Sequence, residues 1–490
     1  METSNTQKAI KGMSSQTLVT LVLGIIEIFS FSIMSRLLSA DDFGYYAAIV
    51  AVTTVFACFS DAGIGSAIIQ KKDISQKFIN VAFTVSFVCG SIAMVALLIL
   101  AKPLAYFVAD ESMTVPLMLI SLTLLGQCLT SVNTSIMIRR LEFLKVGMIN
   151  LFALVVTTII AVWLAYLGFG YYAIITRAIL TSILTYIVSY YYAKTKFSFS
   201  WDKKTFKGIL GFSGWLTASG FFRDLSNQLD RLLMTSLLSI TALGQYNRPK
   251  DFISQITVRA GNIFDTALFP VLSQIQDDKL GMKRSYIRSM YYLNMASLVL
   301  AVGFVCNAEL IIRIFFGQDW FNIVSIFMVL SLSVIFVFDA RMADCYLRSL
   351  GWTKQQFFFR IMEVALKFAG LLIGFRYGLL GVAISVLITS IIAVVIKHIY
   401  IAKRINVNAS ETIAVLIKSW KSGLIFAPTI GGMLILLPKT IVSELILLVV
   451  YILLVLVTFV LFPSMAGSMY KNDMYPKVIS TVKNKLRKNV

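Results

Sequence analysis

Apolar residues in this chain come in blocks of about twenty, separated by short polar connections, and a helix of that length crosses the ~30 Å hydrocarbon layer of a bilayer. Candidate spans cover roughly 15–38, 43–69, 78–100, 115–138, 147–167, 171–193, 208–238, 243–270, 286–314, 321–347, 356–375, 378–401, 413–436 and 441–462. The predicted fold class is all-α integral membrane, with about 14 transmembrane helices. The connections are too short to hold an extramembrane domain. The first block follows Lys8 and Lys11, but it is longer than the ~7–15 residues of a signal h-region and ends in no small-x-small site. It reads as an uncleaved first span.

Composition agrees. The chain is 58% hydrophobic and 14% charged, against roughly 45–50% and ~25% in soluble domains, so a soluble fold would leave its apolar blocks nowhere to bury. The five cysteines (Cys58, Cys89, Cys128, Cys306, Cys345) fall inside predicted spans without C-x-x-C spacing and read as small packing residues. The single histidine, His398, closes an apolar run beside Lys397 and reads as interfacial.

The net charge of +20 would raise nucleic acid as a partner in a soluble protein. Its placement excludes that reading. With the N-terminus inside, 31 of the 44 basic residues fall in cytosolic segments, among them Lys71, Lys72, Arg139, Arg140, Lys203, Lys204, Lys283, Arg284, Lys397 and Arg404, and the outer connections hold three: Lys102, Arg376 and Lys439. This asymmetry orients a multi-pass protein in the cytoplasmic (inner) membrane with both termini cytosolic. The tail, with Lys483, Lys485, Arg487 and Lys488, would attract anionic inner-leaflet lipid.

An internal repeat is visible. Leu37-Leu38-Ser39 followed by Gly44 and Tyr46 returns as Leu237-Leu238-Ser239 followed by Gly244 and Tyr246; Ile69-Gln70 before a charged run returns as Ile275-Gln276. Both hairpins start on the same side, so the repeat is parallel, with its axis along the membrane normal. The expected organisation is a cytosolic N-terminus (1–13), an N-lobe of spans 1–6 (14–204), a C-lobe of spans 7–12 (205–404), spans 13–14 (405–462) and a basic cytosolic tail (463–490).

Charges inside spans are costly, about 2.5–3.5 kcal/mol each on insertion scales, so each needs a cavity or a partner. Span 7 carries Gly220, Arg223 with Asp224, Asn227, then Asp230 with Arg231; span 8 carries Arg248, Asp251, Gln255, Arg259, Asn262 and Thr266. Steps of three and four put each set on one helical face. Two readings stand: a water-filled translocation cavity, favoured by the stripes' length, or mutual pairing as buried glue. Glu27, mid-span, suits proton or sodium coupling, and a core hydrogen bond accounts for it equally well. Glu363 and Lys367 have the spacing of a local ion pair. The membrane-embedded charges number ten basic against nine acidic, a mixed cavity rather than an anion pore.

No G-x-x-x-x-G-K-[ST] loop occurs, so ATP drive is not expected, and one histidine argues against a Ser-His-Asp triad; no enzyme activity and no cofactor or metal is expected. Asp41 and Asp42 sit in a turn too short for a catalytic pocket and read as a solvated turn.

The phrases Ser35-Arg36-Leu37-Leu38, Asp42-Phe43-Gly44-Tyr45 and Asp61-Ala62-Gly63-Ile64-Gly65-Ser66-Ala67-Ile68-Ile69-Gln70-Lys71 resemble the opening hairpin of Wzx-type polysaccharide and lipopolysaccharide exporters. Leu229-Asp230-Arg231-Leu232-Leu233 with Ala242-Leu243-Gly244-Gln245-Tyr246, and Leu268-Phe269-Pro270-Val271-Leu272-Ser273, extend the likeness over nearly the whole chain. It is nearest to exporters of the colanic-acid and teichuronic-acid type. The resemblance implies the multidrug, oligosaccharidyl-lipid and polysaccharide exporter superfamily, alternating access of two lobes, and an undecaprenyl-diphosphate-linked oligosaccharide as cargo. It places arginines on the diphosphate. Arg36 stands at a family motif position; Arg223, Arg231 and Arg259 rest on the stripes, as do Asn227, Gln255 and Asn262 as substrate-facing residues. Glu27, Asp224 and Asp230 are the candidate H+ or Na+ coupling residues. Polysaccharide polymerases and glycosyltransferases are the expected partners, with membrane lipid around the spans. A cation-coupled drug exporter and a peptidoglycan-precursor flippase are the alternatives.

Overall fold

In the computed structural model the protein is described over residues 2–61, 64–70, 74–108, 111–194 and 197–424. The end of the thirteenth predicted span, the fourteenth (441–462) and the tail (463–490) lie outside the described residues. The described residues are helical, with no strand among them. Fifteen α-helices follow in order: α1 (Glu2–Leu37), α2 (Ala40–Asp61), α3 (Ile64–Gln70), α4 (Gln76–Val108), α5 (Thr114–Arg139), α6 (Phe143–Tyr166), α7 (Tyr171–Ala193), α8 (Lys203–Leu237), α9 (Ile240–Gln274), α10 (Lys279–Cys306), α11 (Ala308–Phe315), α12 (Val324–Ser349), α13 (Thr353–Gly374), α14 (Gly378–Arg404) and α15 (Ala409–Leu424).

Described helices cover the first twelve predicted spans, the sixth without any shift of boundary. The ninth is interrupted at Asn307, whose side-chain amide donates back to the Gly303 carbonyl (2.9 Å) while its own carbonyl receives the Ile311 amide (2.8 Å). Asn competes locally for backbone partners, so it ends one helix and starts the next.

Seven stretches among the described residues are long and apolar enough to cross a membrane. Ile92, Ile99, Ile159, Trp163, Ile373 and Ile388 point outward from such helices and are half-exposed or more. Apolar surface of this extent is what lipid covers, and helices can sit there because they satisfy their own backbone. The chain is a multi-pass membrane protein. Their polar stripes keep α8 and α9 from qualifying by apolarity alone.

The chain forms two compact units. The first comprises Met1–Arg248 and Arg360–Val382, the second Pro249–Phe359 and the described residues of Ala383–Val490. In the first, α3, α4 and α5 enclose an apolar cluster of Ile64, Ile68, Phe78, Val81, Val132 and Ile136. Interhelical hydrogen bonds bind its rear helices: Asn133 to Ser189 (3.1 Å, α5 to α7) and Thr157 with Thr181 (2.9 Å, α6 to α7). In hydrocarbon such polar contacts hold helices together where water would compete for them. α8 begins on Asp202, whose carboxylate accepts from the Thr205 amide (2.9 Å), the Thr205 hydroxyl (2.6 Å) and Lys77 (2.9 Å). Those partners, the Thr205 hydroxyl foremost, hold its carboxyl well below the ordinary Asp range.

In the second unit an aromatic core joins Phe252 of α9 to Phe315, Phe316 and Phe327. α15 is tied to α10 by Lys283 and Glu411 (2.8 Å).

Candidate functional site

The turn between α1 and α2 meets the turn between α8 and α9, and the meeting is reciprocal. A β-carbon at Gly44 would overlap the Ile240 carbonyl; a β-carbon at Gly244 would overlap the Ala40 carbonyl. Gly44 and Gly244, and Ala40 and Ile240, are each 200 residues apart, so the second contact is the first with the repeats exchanged. Asp41 and Thr241, another pair at that offset, bond directly (Oγ1 to Oδ1, 2.5 Å). The serines preceding both turns cap the helix that follows: Ser39 Oγ receives the Asp42 amide (3.2 Å) and Ser239 Oγ the Ala242 amide (3.1 Å). Only glycine lets two backbones approach this closely.

Asp41 and Asp42 are therefore not a merely solvated turn. Asp41 holds Thr241, and Asp42 also accepts the Tyr171 amide at the start of α7 (2.9 Å). Both carboxylates sit in the first turn of α2, where the helix dipole favours them.

The stripe on α8 is in place, and three other helices reach it. Arg223 holds Asp224 through two contacts (2.8 and 3.2 Å) and extends into the open, while Cys58 of α2 donates to Asp224 (3.2 Å). Asn227 is exposed. Asp230 is wholly buried; it accepts the Tyr246 hydroxyl of α9 (2.7 Å) and lies 3.5 Å from Lys367 of α13. Arg231 donates to Gln228 (2.9 Å). Lys367 also donates to the Ser226 carbonyl (2.6 Å). The expected Glu363–Lys367 pair is not formed: Glu363 takes Arg360 at i,i+3 (2.7 Å), because Lys367 faces α8. In an apolar helix an extended lysine follows the nearest buried carboxylate, and a local pair is worth only ~0.5 kcal/mol.

Arg36 is exposed in the last turn of α1. Glu27 is half-buried on the same helix. Arg248, the head of the α9 stripe, lines no open face. It is buried, donating to the Phe31 carbonyl (2.6 Å) and Ser35 (2.6 and 3.0 Å), with its guanidinium 3.3 Å from the Phe31 ring centroid and 3.9 Å from that of Phe43. These partners lie on α1 and α2 and not on the α8 stripe.

In the second unit the α9 stripe continues with Gln255, whose Oε1 is buried without a hydrogen-bond partner, and Arg259, which donates to the Gln255 carbonyl (3.1 Å). Asn262 is exposed and accepts from Arg341 of α12 (3.2 Å), which also lies 3.5 Å from Asp265. Two residues read as peripheral are central to this unit. Lys397 has no exposed surface and holds Asp344 (3.1 Å); His398 is buried with its Nδ1 2.7 Å from the Tyr286 hydroxyl. α14 runs on to Arg404, so these two side chains fall inside the packed helix and not at its interfacial end.

The described helices carry lipid-facing apolar surfaces, and two of them carry long polar faces. The chain belongs to the polysaccharide biosynthesis protein family, which it matches over residues 33–325. Among curated relatives it is 20% identical over 400 residues to the lipopolysaccharide biosynthesis protein WzxC of Escherichia coli, covering 81% of each chain, and 21% identical over 343 residues to the teichuronic acid biosynthesis protein TuaB of Bacillus subtilis, covering 67% of this chain and 68% of that one. Among solved structures, the lipid II flippase MurJ in an inward closed conformation shares the fold at a TM-score of 0.73 and 15% identity, covering 91% of this chain and 98% of that one. An inward-facing multidrug resistance MATE family transporter follows at 0.64 and 16%, covering 80% and 98%. The family match and these curated relatives make it a Wzx-type polysaccharide exporter, and the solved structures share its fold.

Proposed function

We propose that this protein flips undecaprenyl-diphosphate-linked oligosaccharide repeat units across the cytoplasmic membrane, by alternating access of two six-helix lobes, for assembly of a surface polysaccharide. The observation that carries the reading is the placement of the arginines: Arg36 near the end of α1 and Arg223 on the polar stripe of α8 are exposed. A guanidinium fork matches the acceptor geometry of a diphosphate. Arg231, and Arg259 in the second unit, take the same role on their stripes, with Asn227, Gln255 and Asn262 contacting sugar hydroxyls. The prenyl tail stays in lipid.

Both termini are cytosolic in this account, and the Gly44–Gly244 contact closes the outward end of the first unit. Cargo then enters from the cytosolic leaflet. Glu27, Asp224 and Asp230 couple the cycle to a proton or sodium gradient. Asp224 and Asp230 already hold Arg223 and Lys367, so a cation or proton arriving there would release a side chain that the cargo can use.

Single Ala replacements of Arg36, Arg223, Arg231 and Arg259 test the assignment in a strain whose surface polysaccharide depends on this chain. At least the exposed pair, Arg36 and Arg223, should lose most export at unchanged protein level, because a charge-assisted bond to phosphate contributes about 1.5–3 kcal/mol. Full export in all four variants would sink the diphosphate role.

A further inference from the structure

Among the charged groups in the second unit, Asp339 of α12 stands out. Its residue is 5% exposed, and its carboxylate receives one hydrogen bond, from the Asn294 amide of α10 (2.7 Å). Among the described residues no cation lies within ion-pair distance of it. The basic groups on the helices around it are engaged elsewhere: Lys397 of α14 on Asp344 (3.1 Å), Arg341 on Asn262 and Asp265, Arg348 near Asp265 (3.9 Å). Tyr286 of α10 and His398 of α14 complete the polar surroundings, bonded to each other (2.7 Å), with His398 beside the Asp339 backbone and Tyr346 on Ser285 (3.2 Å).

A charged carboxylate in this setting is poorly compensated. Burial of an isolated ion costs far more than one neutral amide bond returns, and such a group takes up a proton instead. One further atom points the same way. Asn294 Oδ1 is buried with no hydrogen-bond partner. Unsatisfied buried polar atoms are rare and call for a role; beside a lone acid, they are what a transient proton path or a single water would use. A hard metal ion fits less well. It wants several oxygen ligands, and no group of three His, Cys, Asp or Glu able to hold one exists among the described residues.

We propose that the second unit carries a proton-binding site at the Asp339 carboxyl, walled by Asn294, His398 and Tyr286. The acid binds a proton when closed off within the helices and releases it to water when the unit opens; the proton is the only species exchanged. Its consequence for transport rests on the flippase reading, since it adds a coupling group remote in sequence from Glu27, Asp224 and Asp230, whereas its existence does not.

Two readouts on the full-length protein keep these apart. Infrared difference spectra of the purified protein across a pH jump should contain a protonated-carboxyl band that disappears in Asp339→Asn and returns shifted in Asp339→Glu. In vesicles, flipping of a labelled polyprenyl-diphosphate oligosaccharide should respond several-fold to an imposed pH gradient in the native protein and lose that response in Asp339→Asn, with Asp339→Glu retaining part of it. A band unchanged in monodisperse Asp339→Asn, or a carboxylate signal that follows sodium at fixed pH, would overturn the proton site. If the native protein moves no cargo, the flippase reading fails while the infrared test still decides the site.

Discussion

Arg248 shows how one residue in a polar stripe can belong to the scaffold. Its guanidinium lies between two phenylalanine rings and closes three short hydrogen bonds onto α1. Removing it loses charge-assisted bonds and cation–π contact together, about 2–4 kcal/mol. Arg248→Ala should unfold at a clearly lower temperature in detergent, and Arg248→Lys should recover little, because an ammonium cannot reproduce the planar fork. Thermal unfolding equal to the native protein would refute the assignment. Spacing put Arg248 on one helical face with Asp251 and Gln255, but period alone does not say which neighbour that residue meets. The same limit explains Lys367, Lys397 and His398. Each was legible as a polar residue in an apolar run; its partner, Asp230, Asp344 or Tyr286, lies far away in sequence.

At the scale of the element, helix extents were largely legible because apolar run length and terminal charge set them. The break was less so. Asn307 announces its break between α10 and α11 only through a local side-chain bond. The start of α8 offers a pH test. The Asp202 carboxyl is held below its ordinary range, so its ionised form favours the folded state. That contribution is complete above the unfolded value of about 3.9 and fades as pH falls below it. The difference in melting temperature between native protein and Asp202→Ala should be constant at neutral pH and shrink below about pH 4. A gap unchanged at pH 3 would show that the cap does not depend on the charge.

For the whole molecule, the repeat read from a few matched residues is also a physical contact. Gly44 and Gly244 are the residues where the two turns touch, and Asp41 bonds to its own counterpart, Thr241. A short matched phrase was visible in the chain because the contact requires small residues in both copies; that the copies meet each other was not. If this contact must part during transport, joining it should stop the cycle. Cysteines at Asp41 and Thr241, in a background with the native cysteines replaced, should abolish export when bridged by a short thiol crosslinker and restore it on release. Undiminished export with the bridge in place would show that these turns stay together throughout.

Movement of a lipid-linked oligosaccharide between leaflets can be watched directly. The purified chain would be placed in vesicles carrying a fluorescent undecaprenyl-diphosphate oligosaccharide, with the label in the outer leaflet quenched by an impermeant reagent. Fluorescence should continue to fall as inner-leaflet lipid is brought out, at a rate set by the amount of protein and reduced in Arg36→Ala and Arg223→Ala. A quenching plateau identical to that of protein-free vesicles would contradict it.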